Sequence, residues 1–135
     1  MQNKTFAIIK PDAIRNNYMG KIIDMIIENK FNILNAQLIT MTKNQAQDFY
    51  VVHKERPFYD DLVSFMISGQ CMVLELEKDN AVAEWRNLIG ATDPKEAIDG
   101  TIRKLFAESK EKNSVHGSDS DDNAKQEINF FFKND

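Results

Sequence analysis

The sequence predicts an α+β sandwich of the split-βαβ, ferredoxin-like kind, with a four-stranded antiparallel sheet covered by helices. Short β-prone runs and helically spaced apolar stripes follow one another in the order β-α-β-α-α-β-α-loop-β-α. With 135 residues and 15.6 kDa, the chain has room for one domain with a full core and not for two. No internal repeat, low-complexity tract or linker divides it, so residues 1–135 read as a single domain.

Thr5 to Lys10 is a β-prone apolar run, ended by Pro11, which cannot donate to a continuing ladder. Met19, Ile22, Ile23, Ile26 and Ile27 recur at helical spacing and form a core-facing stripe, with Lys30 expected in the last turn. Ile33 to Met41 is a second strand, rich in apolar residues but imperfectly alternating. Thr42 and Gln45 match a capping box. The helix they open carries Ala46, Phe49, Tyr50 and His53 on one face and stops at Glu55-Arg56-Pro57. Phe58, Leu62, Phe65 and Met66 mark a further helix, ending near Ser68-Gly69. Cys71 to Glu77 reads as a strand, with Glu75 and Glu77 facing away from Leu74 and Leu76. Val82, Trp85 and Ile89 define another helix, capped by Gly90. The polar stretch from Ala91 to Asn113 reads as a loop, in which Asp93-Pro94-Lys95-Glu96 resembles a helix start. Ser114 to Gly117 is a very short strand. Ser118 or Ser120 caps a last helix to about Glu127, before Ile128 to Phe132.

Composition narrows the function. Seventeen Lys+Arg against 21 Asp+Glu give a net charge of −4, which argues against a general nucleic-acid binder. One cysteine, Cys71, excludes an internal disulfide and a cysteine-based zinc site, and fits a reducing compartment. Met1-Gln2-Asn3-Lys4-Thr5-Phe6 lacks the pattern of a signal peptide. No apolar run nears the roughly 18 residues of a membrane span. A cytoplasmic, mildly acidic domain without membrane contact is expected.

Arginine and histidine are scarce: Arg15, Arg56, Arg86 and Arg103; His53 and His116. His53 reads as a packed or edge histidine on its helix stripe. His116 lies between a strand and a helix start, next to Gly117, where a side chain can be presented at a cleft beside backbone N–H groups. An ordinary turn histidine is the alternative. Glu127 follows eleven residues later, either as the carboxylate that fixes the imidazole tautomer or as a solvated helix glutamate. Arg86 and Arg103 flank the Gly/Pro-containing loop, Lys10 ends the first strand, and Thr92 adds a hydroxyl; singly, each of these is commonly a surface residue. Walker A, GxGxxG and kinase catalytic-loop patterns are absent, as is a dedicated metal cage.

The segment Asn113-Ser114-Val115-His116-Gly117-Ser118-Asp119-Ser120 resembles the active-site signature of the nucleoside diphosphate kinases. Five further blocks fall in family order and spacing. They are Lys10-Pro11-Asp12-Ala13, Tyr50 with His53 to Phe58, Phe65 to Gly69, Arg86 with Gly90 to Pro94, and Gly100 to Arg103. The resemblance covers essentially the whole chain. It implies transfer of the γ-phosphate of a nucleoside triphosphate to a nucleoside diphosphate, ping-pong through a phosphohistidine at His116, serving cellular NTP and dNTP pools. It further implies that Glu127 orients the imidazole with support from Ser118. Lys10, Arg86, Thr92 and Arg103 would bind phosphates, and Asn113 a sugar. Tyr50 would lie near the phosphoryl group, and the base would stack on Phe58, a contact tolerant of base identity. Magnesium would arrive on the nucleotide phosphates. The protein is expected to be a homo-oligomer, tetramer or hexamer.

The sequence departs from the common pattern at Ala13, Gln70, Asp99, Lys104-Leu105 and Lys110-Glu111. These positions touch the loop and its neighbours, which shape subunit contacts in this family, and leave the catalytic set intact. The net charge disfavours long polyanions, whose binding needs many basic contacts, but not one nucleotide held by Lys10, Arg86 and Arg103. Two other classes compete: a histidine phosphocarrier serving a protein partner, and an RNA-recognition sandwich, against which the charge and the lack of an aromatic RNP-type strand both weigh.

Overall fold

The computed structural model describes residues 3–132; the expected domain, 1–135, extends past these at both ends. Strand β1 (Lys4–Ile9) is the run expected at its position. Pro11 then opens a helix, α1 (Pro11–Arg15), at the first helical position, where its missing N–H loses no bond. Five residues are too few to show a periodic stripe. In α2 (Met19–Glu28), Ile22 and Ile26 are buried, whereas Ile27 is exposed. Lys30 lies beyond the helix end at φ 70°, not in its last turn.

Strand β2 (Asn32–Ile39) carries a bulge between Ile33 and Asn35, which accounts for its broken alternation. The capping box at Thr42 and Gln45 opens α3 (Lys43–Phe49). The helix ends at Phe49 rather than near Arg56. A 3₁₀ turn, Val51–His53, follows, so Tyr50 enters the core and His53 leaves the stripe. Helix α4 (Tyr59–Met66), strand β3 (Cys71–Glu77) and helix α5 (Ala81–Ile89) lie where expected. Gly90 caps α5 at φ 87°, with Thr101 Oγ1 only 2.6 Å from where a Cβ would stand.

Asp93 Oδ1 accepts from Lys95 N at 3.0 Å, a cap-like bond, but only turns follow it. The helix in this stretch is α6 (Ile102–Phe106), capped by Thr101. Strand β4 (Val115–Gly117) is three residues long. Ser120 caps α7 (Asp121–Phe131), which continues past Glu127 through the Ile128-to-Phe132 segment; Glu127 is mid-helix, not at its end.

The sheet order is β2-β3-β1-β4 and every pairing is antiparallel. Helices cover both faces. On one, Ala7, Ile9, Leu74 and Leu76 pack with Ile22 and Ile26 of α2 and Trp85 of α5. On the other, Phe6, Ile8 and Val73 pack with Ala46 of α3, Met66 of α4 and Ile128 of α7. Glu75 points to this second face as expected, yet it is buried. The bulge brings Asn35 Nδ2 to its carboxylate at 2.6 Å, and Lys4 Nζ lies 3.4 Å away. Among the described residues no helix is long and apolar enough to cross a membrane.

Candidate active site

The site forms along β4, the edge strand that pairs with β1. His116 pairs opposite Ile8 and therefore projects to the second face. Because α7 folds back over that face, Glu127 Oε1 reaches His116 Nε2 at 2.9 Å. Ser118 Oγ donates to the same carboxylate oxygen at 2.7 Å. Nε2 is thereby engaged with an anion, and Nδ1 has no protein partner among the described residues. Of the two readings the sequence left open for Glu127, the geometry is that of the imidazole's carboxylate partner. Phe49 and Phe6 present ring edges to the imidazole, with centroids 5.5 and 6.1 Å away. Trp85 Nε1 donates to the His116 carbonyl at 3.1 Å, which requires close approach. A Cβ on Gly117 would stand 2.7 Å from the indole.

A second group adjoins the strand. Lys10 Nζ donates to Asn113 Oδ1 at 2.9 Å, and Lys10 is only 8% exposed. Burial, with Arg103 nearby, pushes its ammonium down to about 8; Asp12 acts in the opposite direction. Arg103 Nη1 and Nη2 donate to the carbonyls of Gly90 and Val115 at 3.0 and 2.9 Å, while its buried Nε has no partner. Burial and the neighbouring Arg86 bring its guanidinium to about 10. Arg86, Thr92 and Arg103 line one cleft of ≈ 350 Å³. Asn113 Nδ2 reaches the Thr92 carbonyl at 3.4 Å.

Two expected site residues stand differently. Phe58, half-exposed ahead of α4, has His53 as its ring partner at 5.5 Å. Tyr50 is buried and packs edge-on against Phe49, its hydroxyl without a partner among the described residues. Burial first, then Cys71 and Glu127, raises its phenol well above the usual range. Phe6, Phe49, Trp85 and Asp12 were not singled out for the site from sequence. The first three look like ordinary core residues there, and only the position of Asp12, two residues after Lys10, offered a signal.

Among the described residues no three His, Cys, Asp or Glu side chains cluster as a metal-holding group. Fold and site together define a class: a small α+β domain that sets a carboxylate-oriented imidazole beside convergent, partly desolvated cations, as phosphate chemistry requires.

The comparisons agree. The family described as nucleoside diphosphate kinase matches residues 3–135. A nucleoside diphosphate kinase of Chloroherpeton thalassium is 56% identical over 129 residues, covering 96% of this chain and 92% of that one. One from Rhizorhabdus wittichii is 58% identical over 130 residues, covering 96% and 93%. The solved structure of the Aquifex aeolicus nucleoside diphosphate kinase superposes with a TM-score of 0.95 at 40% identity, covering 97% of this chain and 95% of that chain. The chain belongs to the nucleoside diphosphate kinase family. It transfers phosphate between nucleoside triphosphates and diphosphates, and the general route of that family is ping-pong through a phosphohistidine.

Proposed function

We propose that His116 is the residue that carries the phosphate. The observation behind this reading is the 2.9 Å contact between its Nε2 and Glu127. With the proton held at Nε2, the Nδ1 lone pair is free to attack. Nδ1 bonds to the γ-phosphorus as the bond to the β,γ-bridging oxygen breaks, and the nucleoside diphosphate departs. The ring gains positive charge, which the Glu127 carboxylate stabilises while Ser118 holds that carboxylate. A phosphate oxygen of the acceptor diphosphate then attacks the same phosphorus, and Nδ1 leaves as neutral imidazole. Donor and acceptor use one site in turn.

Lys10, Arg86, Thr92 and Arg103 hold the phosphates. The cleft shared by Arg86, Thr92 and Arg103 supports this, as does the Arg103 Nε, which has no partner among the described residues. Asn113, already bonded to Lys10, meets the sugar, and Tyr50 borders the phosphoryl group with its unpartnered hydroxyl. The exposed ring of Phe58 stacks on the base. Mg²⁺ would arrive on the nucleotide and would offset phosphate charge. A donor set of cations and a hydroxyl fits that arrangement, because such groups meet phosphate oxygens and not a metal.

The unit is one domain over residues 1–135, working in the cytoplasm, where a lone buried thiol such as Cys71 stays reduced. Exposed Ile27, Leu34, Leu38, Ile98 and Leu105 support a homo-oligomer, tetramer or hexamer. The deciding experiment mixes the protein with γ-labelled ATP. Acid-labile label should appear and be discharged by GDP or UDP, and His116→Ala should take up none. Turnover by His116→Ala would refute the assignment, and label that free nucleotides cannot discharge would favour a phosphocarrier.

A further inference from the structure

Asp12 is buried at the start of α1, with 2% exposure, and nothing in the mechanism above uses it. Its Oδ2 accepts from the backbone N–H of Ser114 at 3.0 Å, while Oδ1 has no partner among the described residues. Ser114 holds φ 73°, a left-handed conformation that a serine adopts at a cost. On one side of it Asn113 turns its Oδ1 to Lys10 Nζ; on the other, the chain enters β4 and His116. The backbone N–H of Lys10 donates to the Ser114 carbonyl at 2.8 Å, so both faces of this peptide turn are gripped from the segment around Asp12. The charged groups acting on Lys10 are Arg103, which opposes its charge, and Asp12, which favours it; burial raises the Asp12 carboxyl itself, and the Ser114 N–H and Lys10 hold that rise down.

We propose that Asp12 is a positioning residue of the phosphate site: its buried carboxylate locks the left-handed turn at Ser114 and places an anion two residues along the chain from Lys10. The turn sets Asn113 against Lys10 and delivers β4 in register, and the negative charge lets Lys10 remain a cation where desolvation and Arg103 oppose it. A neutral residue of the same shape preserves the first role and loses the second. A glycine at position 114 adopts the turn unaided and relaxes the need for the first.

The inference rests on the phosphate-binding role proposed for Lys10. That role fails separately, if Lys10→Ala leaves the KM for nucleotides unchanged. The test compares wild type, Asp12→Asn, Asp12→Ala and Asp12→Ala in a Ser114→Gly background. Melting temperature, kcat and KM are read across about pH 6 to 10, with the Lys10 ammonium titrated directly by NMR. Removing the anion destabilises the ammonium form, so the Lys10 titration and the alkaline limb of kcat/KM should both move about one unit to lower pH in Asp12→Asn. Asp12→Ala should lose a further factor of about ten in kcat, through the released turn. The glycine background should restore the kcat that Asp12→Ala loses but not its pH profile. A Lys10 titration and alkaline limb unmoved in every folded Asp12 variant would overturn the proposal, as would Asp12→Ala with wild-type kcat.

Discussion

Replacing Glu127 by glutamine keeps the shape of the side chain at His116 Nε2 but exchanges an anion for an amide. If the amide donates to Nε2, the proton moves to Nδ1 and blocks the nitrogen that should attack; in either orientation, the charge that stabilises the phosphorylated ring is gone. Glu127→Gln should therefore slow phosphoenzyme formation by about a hundredfold, with melting changed little. Rapid-quench labelling checks this, and wild-type kinetics would refute it. Tyr50 makes the opposite prediction for stability. Its buried hydroxyl has no partner among the described residues, so Tyr50→Phe removes a desolvated polar group and should leave the melting temperature unchanged or raised. Its kcat should fall if the hydroxyl meets the phosphoryl group in the complex. At Gly117, a methyl would stand 2.7 Å from the Trp85 indole. Gly117→Ala should cost about 1–3 kcal/mol by overpacking, read as a lower denaturant midpoint.

Elements differ in how much the sequence disclosed of them. Helices with a long stripe or an explicit cap were legible: the box at Thr42 and Gln45 forms as expected, and Thr42→Ala should cost about 1 kcal/mol in urea melts without altering kcat. Strand β3 was legible to the residue, because Cys71 to Leu74 is an apolar run that continues in strict alternation through Glu75, Leu76 and Glu77. What escaped was short or irregular. Helices α1 and α6 have five residues each, too few for periodicity, and the bulge in β2 scrambles a period-two pattern. The Asp93-Pro94 cap misled because a cap is a local bond, and a helix also needs an apolar face to bury. Of the site, the His116, Lys10 and Arg103 neighbourhoods were legible through motif resemblance. Phe49, Phe6 and Trp85 were not, since an aromatic ring against an imidazole reads in sequence like any other core residue.

Over the whole molecule, the buried ammonium of Lys10 weakens the fold. Lys10 has a folded value of about 8 against 10.5 ordinarily, so between those values the unfolded chain binds more protons than the folded one. Its burial therefore costs stability below about pH 8, and the penalty fades as pH rises toward 10.5. A bound polyphosphate supplies the missing countercharge. Nucleoside diphosphate should thus raise the melting temperature more at pH 7 than at about pH 9.5, where Lys10 is largely neutral. Equal increments at both pH values would contradict the electrostatic account. The sheet adds a further dependence. The imidazole of His116 belongs to one core, but its carbonyl is tied by Trp85 to the other, where Phe31 stands edge-on to the indole at 5.8 Å. His116 thus hangs between two separately packed layers, like a beam bolted from both sides. A change of packing at Phe31 or Trp85 should therefore be felt at His116, although both rings lie in the opposite core.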